Sequence, residues 1–313
     1  MKKPIPPILA TLVVLLFLPL LPLEARNYIL QIFTFLFLNI VLAQSYDIVG
    51  GYMGYINLGH ITFFGVGTYA FGILFNEGVP FPFSLAMTAV IVVVFAGLIS
   101  PAFFRLRGAY FSLATFGLVK LMEYITINLS WLTGGANGLK IEAAERTVPV
   151  FYLSLAVVVA VVACSWLISR SRLGLAMRTI REDEQVARDF GVPTFGVKAQ
   201  ALMISSIFPG VMGGLYTWYF NYIIPGDVYG LKIALTPIAM AMLGGSGLLV
   251  GPVIGALFLY SAEEVIWTNL AHLHGAMLGL VIVLVGLFMP GGLARLAPVE
   301  RLLSRLSMLE VDK

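Results

Sequence analysis

Ionisable and nucleophilic side chains set among apolar ones are where chemistry is first sought, and this sequence has few. Asp47, Lys120, Glu123, Glu263 and Glu264 lie within or beside long apolar runs. A charge at bilayer depth is costly, so such residues turn toward a partner charge, a protein interior or a water-filled cavity. Lys120 and Glu123 stand three residues apart and can neutralise each other on one helix face. Glu263 and Glu264 close an apolar run and are expected at the outer surface. His60 has no second ligand at metal-binding spacing, and His272 with His274 makes only a weak H-x-H metal signal. The single cysteine, Cys164, excludes an internal disulfide and reads as a small packed residue in a helix. No G-x-x-x-x-G-K-[ST], H-E-x-x-H or G-x-S-x-G pattern occurs, and Gly244-Gly245-Ser246-Gly247 lacks the lysine of a phosphate loop. No ATPase core, catalytic residue, metal or cofactor is expected.

The elements that must carry these residues are set by composition. The 313 residues are 59% hydrophobic and 11% charged, with 19 Lys+Arg against 16 Asp+Glu and a net charge of +3. An average soluble domain has roughly 45–50% apolar and about 25% charged residues. A cytosolic enzyme, a disordered chain and a nucleic-acid binder are therefore excluded. The fold class is an all-α polytopic membrane protein of about eight to ten spans of roughly 20 residues each. Thirty-two Gly and 16 Pro suit closely packed and broken helices.

Apolar runs are read at about 8–23, 28–49, 57–76, 82–104, 109–130, 150–169, 199–220, 233–262 and 273–289. The first follows Met1-Lys2-Lys3 like a signal peptide, but Leu23-Glu24-Ala25 is a poor cleavage site, which favours a retained span. The stretch 233–262 is interrupted at Gly244–Gly247 and Gly251-Pro252, leaving the pieces 233–243 and 251–262, each short for a crossing. A broken or re-entrant pair is expected there, and irregular backbone at membrane depth marks a candidate working part. Counting spans puts Lys2 and Lys3, Arg105 and Arg107, the Arg-rich loop 170–198, and the tail with Arg295, Arg301 and Arg305 on one side. By the positive-inside rule that side is the cytoplasm, with both termini, and the loop 131–149 lies outside.

Two polar or glycine-dense segments stand out. Ala176, Ile180, Ala187 and Phe190 recur at roughly helical spacing among Arg181, Glu182, Asp183, Glu184 and Arg188, and Gly191 before Val192-Pro193 is a stop signal. This predicts a short amphipathic helix whose mixed charge suits docking into a groove on a partner protein; a solvated connector or a headgroup-bound helix is the alternative. The segment 50–69 carries Asn57, Gly59, His60, Thr62 and Phe63 beside a span. It is either a substrate-contacting segment or a tight helix-packing surface. Gly247, Gly251 and Gly255, like Gly210 and Gly214, recur every fourth residue as small-residue packing faces.

Together these segments resemble one family, the M-type permease subunits of ABC importers for branched-chain amino acids. The resemblance rests on INLGHITFFGVGTY (56–69), YFSLATFG (110–117), LTGGANGL (132–139), GLAMRTIREDEQVARDFG (174–191), LGGSGLLVGPVIGA (243–256) and FMPGGL (288–293). It covers about 28–293 in order, within a single membrane-spanning domain of residues 1–313. Met289, Gly291 and Lys120 depart from the usual pattern, and relatives with similar motifs carry urea, short amides or other amino acids.

The resemblance implies that 171–192 is a cytoplasmic coupling-helix loop seated on an ATPase, with Ala176, Ile180, Arg181, Glu182, Asp183, Glu184, Ala187 and Gly191 in it. Asn57, Gly59, His60, Phe63, Thr133, Gly134, Gly135, Gly244 and Gly245 are the translocation-path candidates. The implied partners are a second permease subunit forming a heterodimer, two cytoplasmic ATP-binding subunits, an extracytoplasmic substrate-binding protein and the lipid of the cell inner membrane, with no nucleic acid. An ion-coupled secondary transporter using Asp47 or the Lys120–Glu123 pair is the rival reading.

Overall fold

The computed structural model describes residues 15–20, 26–141, 146–270, 279, 283 and 292–295. Most of the first apolar run, most of the last run at 273–289, and His272, His274, Arg301 and Arg305 lie outside the described residues. The fold is all-α, and among the described residues the strands are a two-residue antiparallel pair, β1 (Leu139–Lys140) on β2 (Tyr222–Ile223). Its principal helices are α1 (Arg26–Met53), α2 (Ile61–Asn76), α3 (Phe81–Phe103), α4 (Ala109–Asn128), α5 (Thr147–Ser169), α6 (Arg172–Glu182), α7 (Glu184–Asp189), α8 (Thr194–Phe220), α9 (Leu231–Gly244) and α10 (Gly251–Leu270). Among the described residues, five segments are long and apolar enough to cross a membrane: α1, α3, α5, α8 and Pro225–Gly244, which contains α9.

α3 shows what solvent the fold is built for. Ser84, Thr88, Val92, Ala96 and Ser100, every fourth residue, are buried. Phe83, Met87, Val90, Val94 and Leu98 face outward. A water-soluble helix would be turned the other way; here small and hydroxyl-bearing residues pack while large apolar ones meet lipid. The buried hydroxyls bond back along their own helix, Thr88 to the Ser84 carbonyl and Ser100 to the Ala96 carbonyl, both at 2.7 Å. No polar group on that face is thereby left for hydrocarbon to solvate.

The helices alternate between two ends. At one, β1 pairs with β2, Lys232 meets Glu263 at 2.5 Å, and Tyr28 donates to Glu264 at 3.3 Å. At the other, the C-terminus of α1, the α3–α4 turn, the α6–α7 loop and the α9–α10 turn come together. Arg105, Arg107 and the 170–198 arginines all fall at this second, basic end. The interrupted stretch is thus a helical hairpin turning at the basic end. The expectation of two short pieces is corrected: the first belongs to Pro225–Gly244, a segment long and apolar enough to cross, and the second is part of α10, which runs 20 residues, about 30 Å. Gly245 and Gly247 take φ of +116° and +84° to make the turn, and Pro252 opens α10 where its missing N–H costs nothing.

Glycine sets how closely helices approach. A Cβ on Gly255 would lie 1.8 Å from the Met240 carbonyl oxygen, and one on Gly244 would lie 1.7 Å from that of Gly251. α9 and α10 therefore touch backbone to backbone. Gly251 and Gly255 pack as the sequence suggests, but Gly247 does not belong to that face: it sits in the turn, not on the helix. At the α2–α8 crossing the tight residues are Gly67 and Gly213, whose Cβ atoms would lie 2.1 Å from the Gly210 oxygen and 2.3 Å from the Phe64 oxygen. Thr217 of α8 donates across it to the Thr68 carbonyl at 3.0 Å.

Candidate functional site

The polar segment 171–191 folds as two helices, not one. Ser171 caps α6 by accepting from the Gly174 N–H at 3.2 Å. Asp183 then leaves helical geometry (φ −157°, ψ 114°) and caps α7, accepting from the N–H groups of Gln185 at 2.7 Å and Val186 at 3.1 Å. Asp favours such caps because its carboxylate satisfies the orphan donors of a first turn. Gly191 closes α7 at φ +82°, as its place before Val192-Pro193 suggests.

The break re-aims the apolar stripe. Met177, Ile180 and Ala187 are buried in one cluster with Ile48, Tyr52, Phe63, Phe104 and Phe111. Ile180 and Ala187, expected to face a partner, are thus committed to the chain's own core, and Ala176 is half-buried against it. What faces outward is Leu175, Val186 and Phe190, the last 83% exposed, with Arg181, Glu182 and Asp183 around them. Val186 and Phe190 are four apart, so they form one apolar ridge at the basic end.

Two anchors hold this loop to the spans. Glu184 accepts from the Lys198 ammonium at 2.7 Å and from the Tyr55 hydroxyl, with Arg188 at 3.2 Å and Arg107 at 3.8 Å. Lys198, at the start of α8, is 2% exposed, and its ammonium also lies over the rings of Tyr55 (5.1 Å) and Phe104 (5.4 Å). Burial by itself raises the Glu184 carboxyl, but the Lys198 and Tyr55 hydrogen bonds and the nearby positive charges outweigh it and hold the group below its ordinary value. Glu184 is therefore a carboxylate at neutral pH. The second anchor is Arg181, whose Nη1 donates to the Gly51 carbonyl at the end of α1 at 2.6 Å.

The translocation-path candidates fall in three places. Asn57, Gly59, His60 and Phe63 are within the bundle: Asn57 accepts from the Gly59 N–H at 3.0 Å, and His60 Nε2 lies 3.0 Å from the Ser45 hydroxyl with its ring against Tyr46 and Phe63. A Cβ on Gly59 would meet the Thr115 carbonyl at 2.4 Å. In this conformation the segment is a packing surface, the alternative raised by its glycines. It borders a narrow cleft that Asn57, Gly59 and Phe63 help to line. Thr133, Gly134 and Gly135 form a tight turn at the opposite end, where Thr133 donates to the Thr126 carbonyl at 2.6 Å and both glycines have positive φ. Gly244 and Gly245 are in the α9–α10 turn at the basic end. The candidates thus lie at three separate levels of the structure.

Asp47 is fully buried in α1 and accepts from the Ser246 hydroxyl at 2.9 Å and the Gly247 N–H at 3.0 Å. Lys120 and Glu123 pair at 2.7 Å, as their spacing suggests, on a half-exposed face of α4. Among the described residues no group of three His, Cys, Asp or Glu side chains could hold a metal ion. Sequence reasoning missed both anchors. Lys198 showed only as one more basic residue, although a lysine within the first turn of an apolar helix signals a buried partner.

Residues 28–286 match the model of the family described as branched-chain amino acid transport system / permease component. The chain is 25% identical over 304 residues to the high-affinity branched-chain amino acid transport system permease protein LivM of Escherichia coli, covering 87% of this chain and 71% of that protein. It is 24% identical to the LivM protein of Salmonella typhimurium, covering 84% and 69%. It is 23% identical over 201 residues to the autoinducer 2 import system permease protein LsrC of Salmonella choleraesuis, covering 62% and 58%. No solved structure matches.

Proposed function

The chain belongs to the family of permease components of branched-chain amino acid transport systems, and from that premise we propose that it moves leucine, isoleucine and valine into the cell. It is a multi-pass membrane permease of the ABC importer class, a class that works with further membrane subunits, ATPases and a binding protein. In the proposed assembly this chain is one membrane-spanning unit beside a second permease. Two cytoplasmic ATP-binding subunits engage the α6–α7 loop, and an extracytoplasmic protein delivers substrate at the opposite end. Both termini are cytoplasmic.

The observation that carries this reading is the α6–α7 loop. It presents a charged surface with an apolar ridge at the arginine-rich end, and it is anchored firmly enough to pass on a push. A headgroup-bound helix would turn its whole apolar stripe to lipid; here most of that stripe is inside the protein. The amino-acid substrate is favoured by the LivM likeness running over more of the chain than the LsrC likeness. The LsrC likeness itself supports a second reading, the same machine carrying another small polar solute.

One labelling experiment tests loop, partner and orientation together. In a Cys164→Ser background, Phe190→Cys should react with an impermeant thiol reagent applied to inside-out vesicles and not to right-side-out ones. Adding the ATP-binding subunits should protect it, slowing labelling about tenfold or more. Labelling from outside would overturn the orientation. Unprotected labelling with the ATPases bound would remove the ridge from the interface.

A further inference from the structure

The α6–α7 loop, the end of α1 and the α9–α10 turn meet at one point that the coupling reading leaves unused. Arg181 extends from α6 across the end of α1, where Nη1 donates to the Gly51 carbonyl at 2.6 Å. Its side chain runs over glycines: a Cβ on Gly54 would lie 3.2 Å from its Cγ, and one on Gly247 would lie 2.7 Å from its Nη1. One helical turn back from Gly51, Asp47 grips the α9–α10 turn through the Ser246 hydroxyl and the Gly247 N–H. A Cβ on Gly51 would lie 2.1 Å from the Asp47 carboxylate and 2.5 Å from the Gly247 nitrogen. The end of α1 and the α9–α10 turn are therefore in close backbone contact, and the Arg181 side chain joins α6 to both.

We propose that Arg181 and Asp47 are positioning residues that tie the ATPase-facing loop to the α9–α10 hairpin, so that displacement of the loop moves that hairpin. This rests on the proposed coupling role of the loop. Packed contacts of this kind do not deform gradually; they shift between discrete arrangements. Glu184–Lys198 gives the loop one output, into α8, and Arg181–Gly51–Asp47–Gly247 gives it a second, into α9 and α10. Arg181 flanks the outward ridge of Val186 and Phe190 but turns its guanidinium back to the Gly51 carbonyl, so transmission is assigned to it and docking to the ridge.

The test uses the complete transporter, with both permeases, the ATP-binding subunits and the binding protein, in proteoliposomes. Labelled leucine uptake and ATP hydrolysis are measured on the same preparation. Arg181→Ala should keep the ATP-binding subunits and continue to hydrolyse ATP, while leucine taken up per ATP falls about tenfold. Arg181→Lys, whose ammonium can still reach the Gly51 carbonyl, should recover much of that ratio. Asp47→Asn, which keeps one acceptor oxygen for Ser246 and Gly247 but loses the charge and the second oxygen that Gly247 also meets at 3.1 Å, should fall between. Spin labels at Gln185 and Leu249 should shift their separation on ATP binding in the parent, and not in Arg181→Ala.

An unchanged uptake-to-hydrolysis ratio in both Arg181→Ala and Asp47→Asn would overturn the proposal. So would loss of the ATP-binding subunits from Arg181→Ala, because Arg181 would then be a docking residue. A parent complex that takes up leucine without using ATP would instead overturn the coupling reading, and this inference with it.

Discussion

Glu184→Ala should release the α6–α7 loop from the spans and abolish transport. The change leaves Lys198, 2% exposed and 2.7 Å from the lost carboxylate, as a buried charge held by ring faces, the Tyr55 hydroxyl and the Phe104 carbonyl. Removing one partner of a buried pair costs about 3–5 kcal/mol, whereas replacing both by apolar residues can be close to neutral. The double variant Glu184→Ala/Lys198→Met should therefore regain most of the lost thermal stability in detergent but not the uptake, since the link to α8 is still missing. Equal stability of the single and double variants would show that the pair is not buried in the working protein. The pH dependence follows the same sign. Because Glu184 is held below its ordinary value, the anchor is complete above the usual glutamate range of about 4.3 and is lost as pH falls through the lowered value.

Gly255→Leu should be the most damaging change within the spans. The first carbon alone would stand 1.8 Å from the Met240 carbonyl oxygen and 2.7 Å from the Gly244 nitrogen, so neither a rotamer nor a neighbouring side chain can relieve it. Overpacking an ordinary core costs about 1–3 kcal/mol; a clash against backbone forces α9 and α10 apart. We expect little folded protein in the membrane, and a severe loss even for Gly255→Ala. The control is Gly117→Ala on α4, which meets nothing within 4 Å and should be neutral or slightly stabilising through helix propensity. Monodisperse protein from Gly255→Leu at the parent's level would mean that α9 and α10 do not pack as described.

The spans were legible because lipid leaves the chain little choice. The runs read at 82–104, 109–130, 150–169 and 199–220 correspond to helices at Phe81–Phe103, Ala109–Asn128, Thr147–Ser169 and Thr194–Phe220. The Lys120–Glu123 pair was legible for a related reason: three residues on a helix fix a distance. Contacts between elements were not. Arg181 meets Gly51 across 130 positions and Ser246 meets Asp47 across 199, and no periodicity encodes either.

The loop shows how a correct pattern can still mislead. Ala176, Ile180, Ala187 and Phe190 do repeat at helical spacing, but Asp183 prefers to cap rather than continue, and the break turns Ile180 and Ala187 inward while Phe190 stays out. Four-residue glycine spacing likewise found Gly251 and Gly255 but assigned Gly247 to a helix that starts after it, and overlooked Gly67 and Gly213, where the backbones of α2 and α8 approach most closely.

In the proposed mechanism this chain is a passive permease driven through its α6–α7 loop by separate ATPases. The most direct measurement is labelled leucine uptake into proteoliposomes holding this chain, its partner permease and the ATP-binding subunits, with the binding protein outside and ATP sealed inside. Uptake should require ATP, stop when the ATP-binding subunits are left out, and ignore a proton or sodium gradient. Uptake by the permeases alone, driven by an ion gradient and indifferent to ATP, would contradict the account and make the chain a secondary transporter.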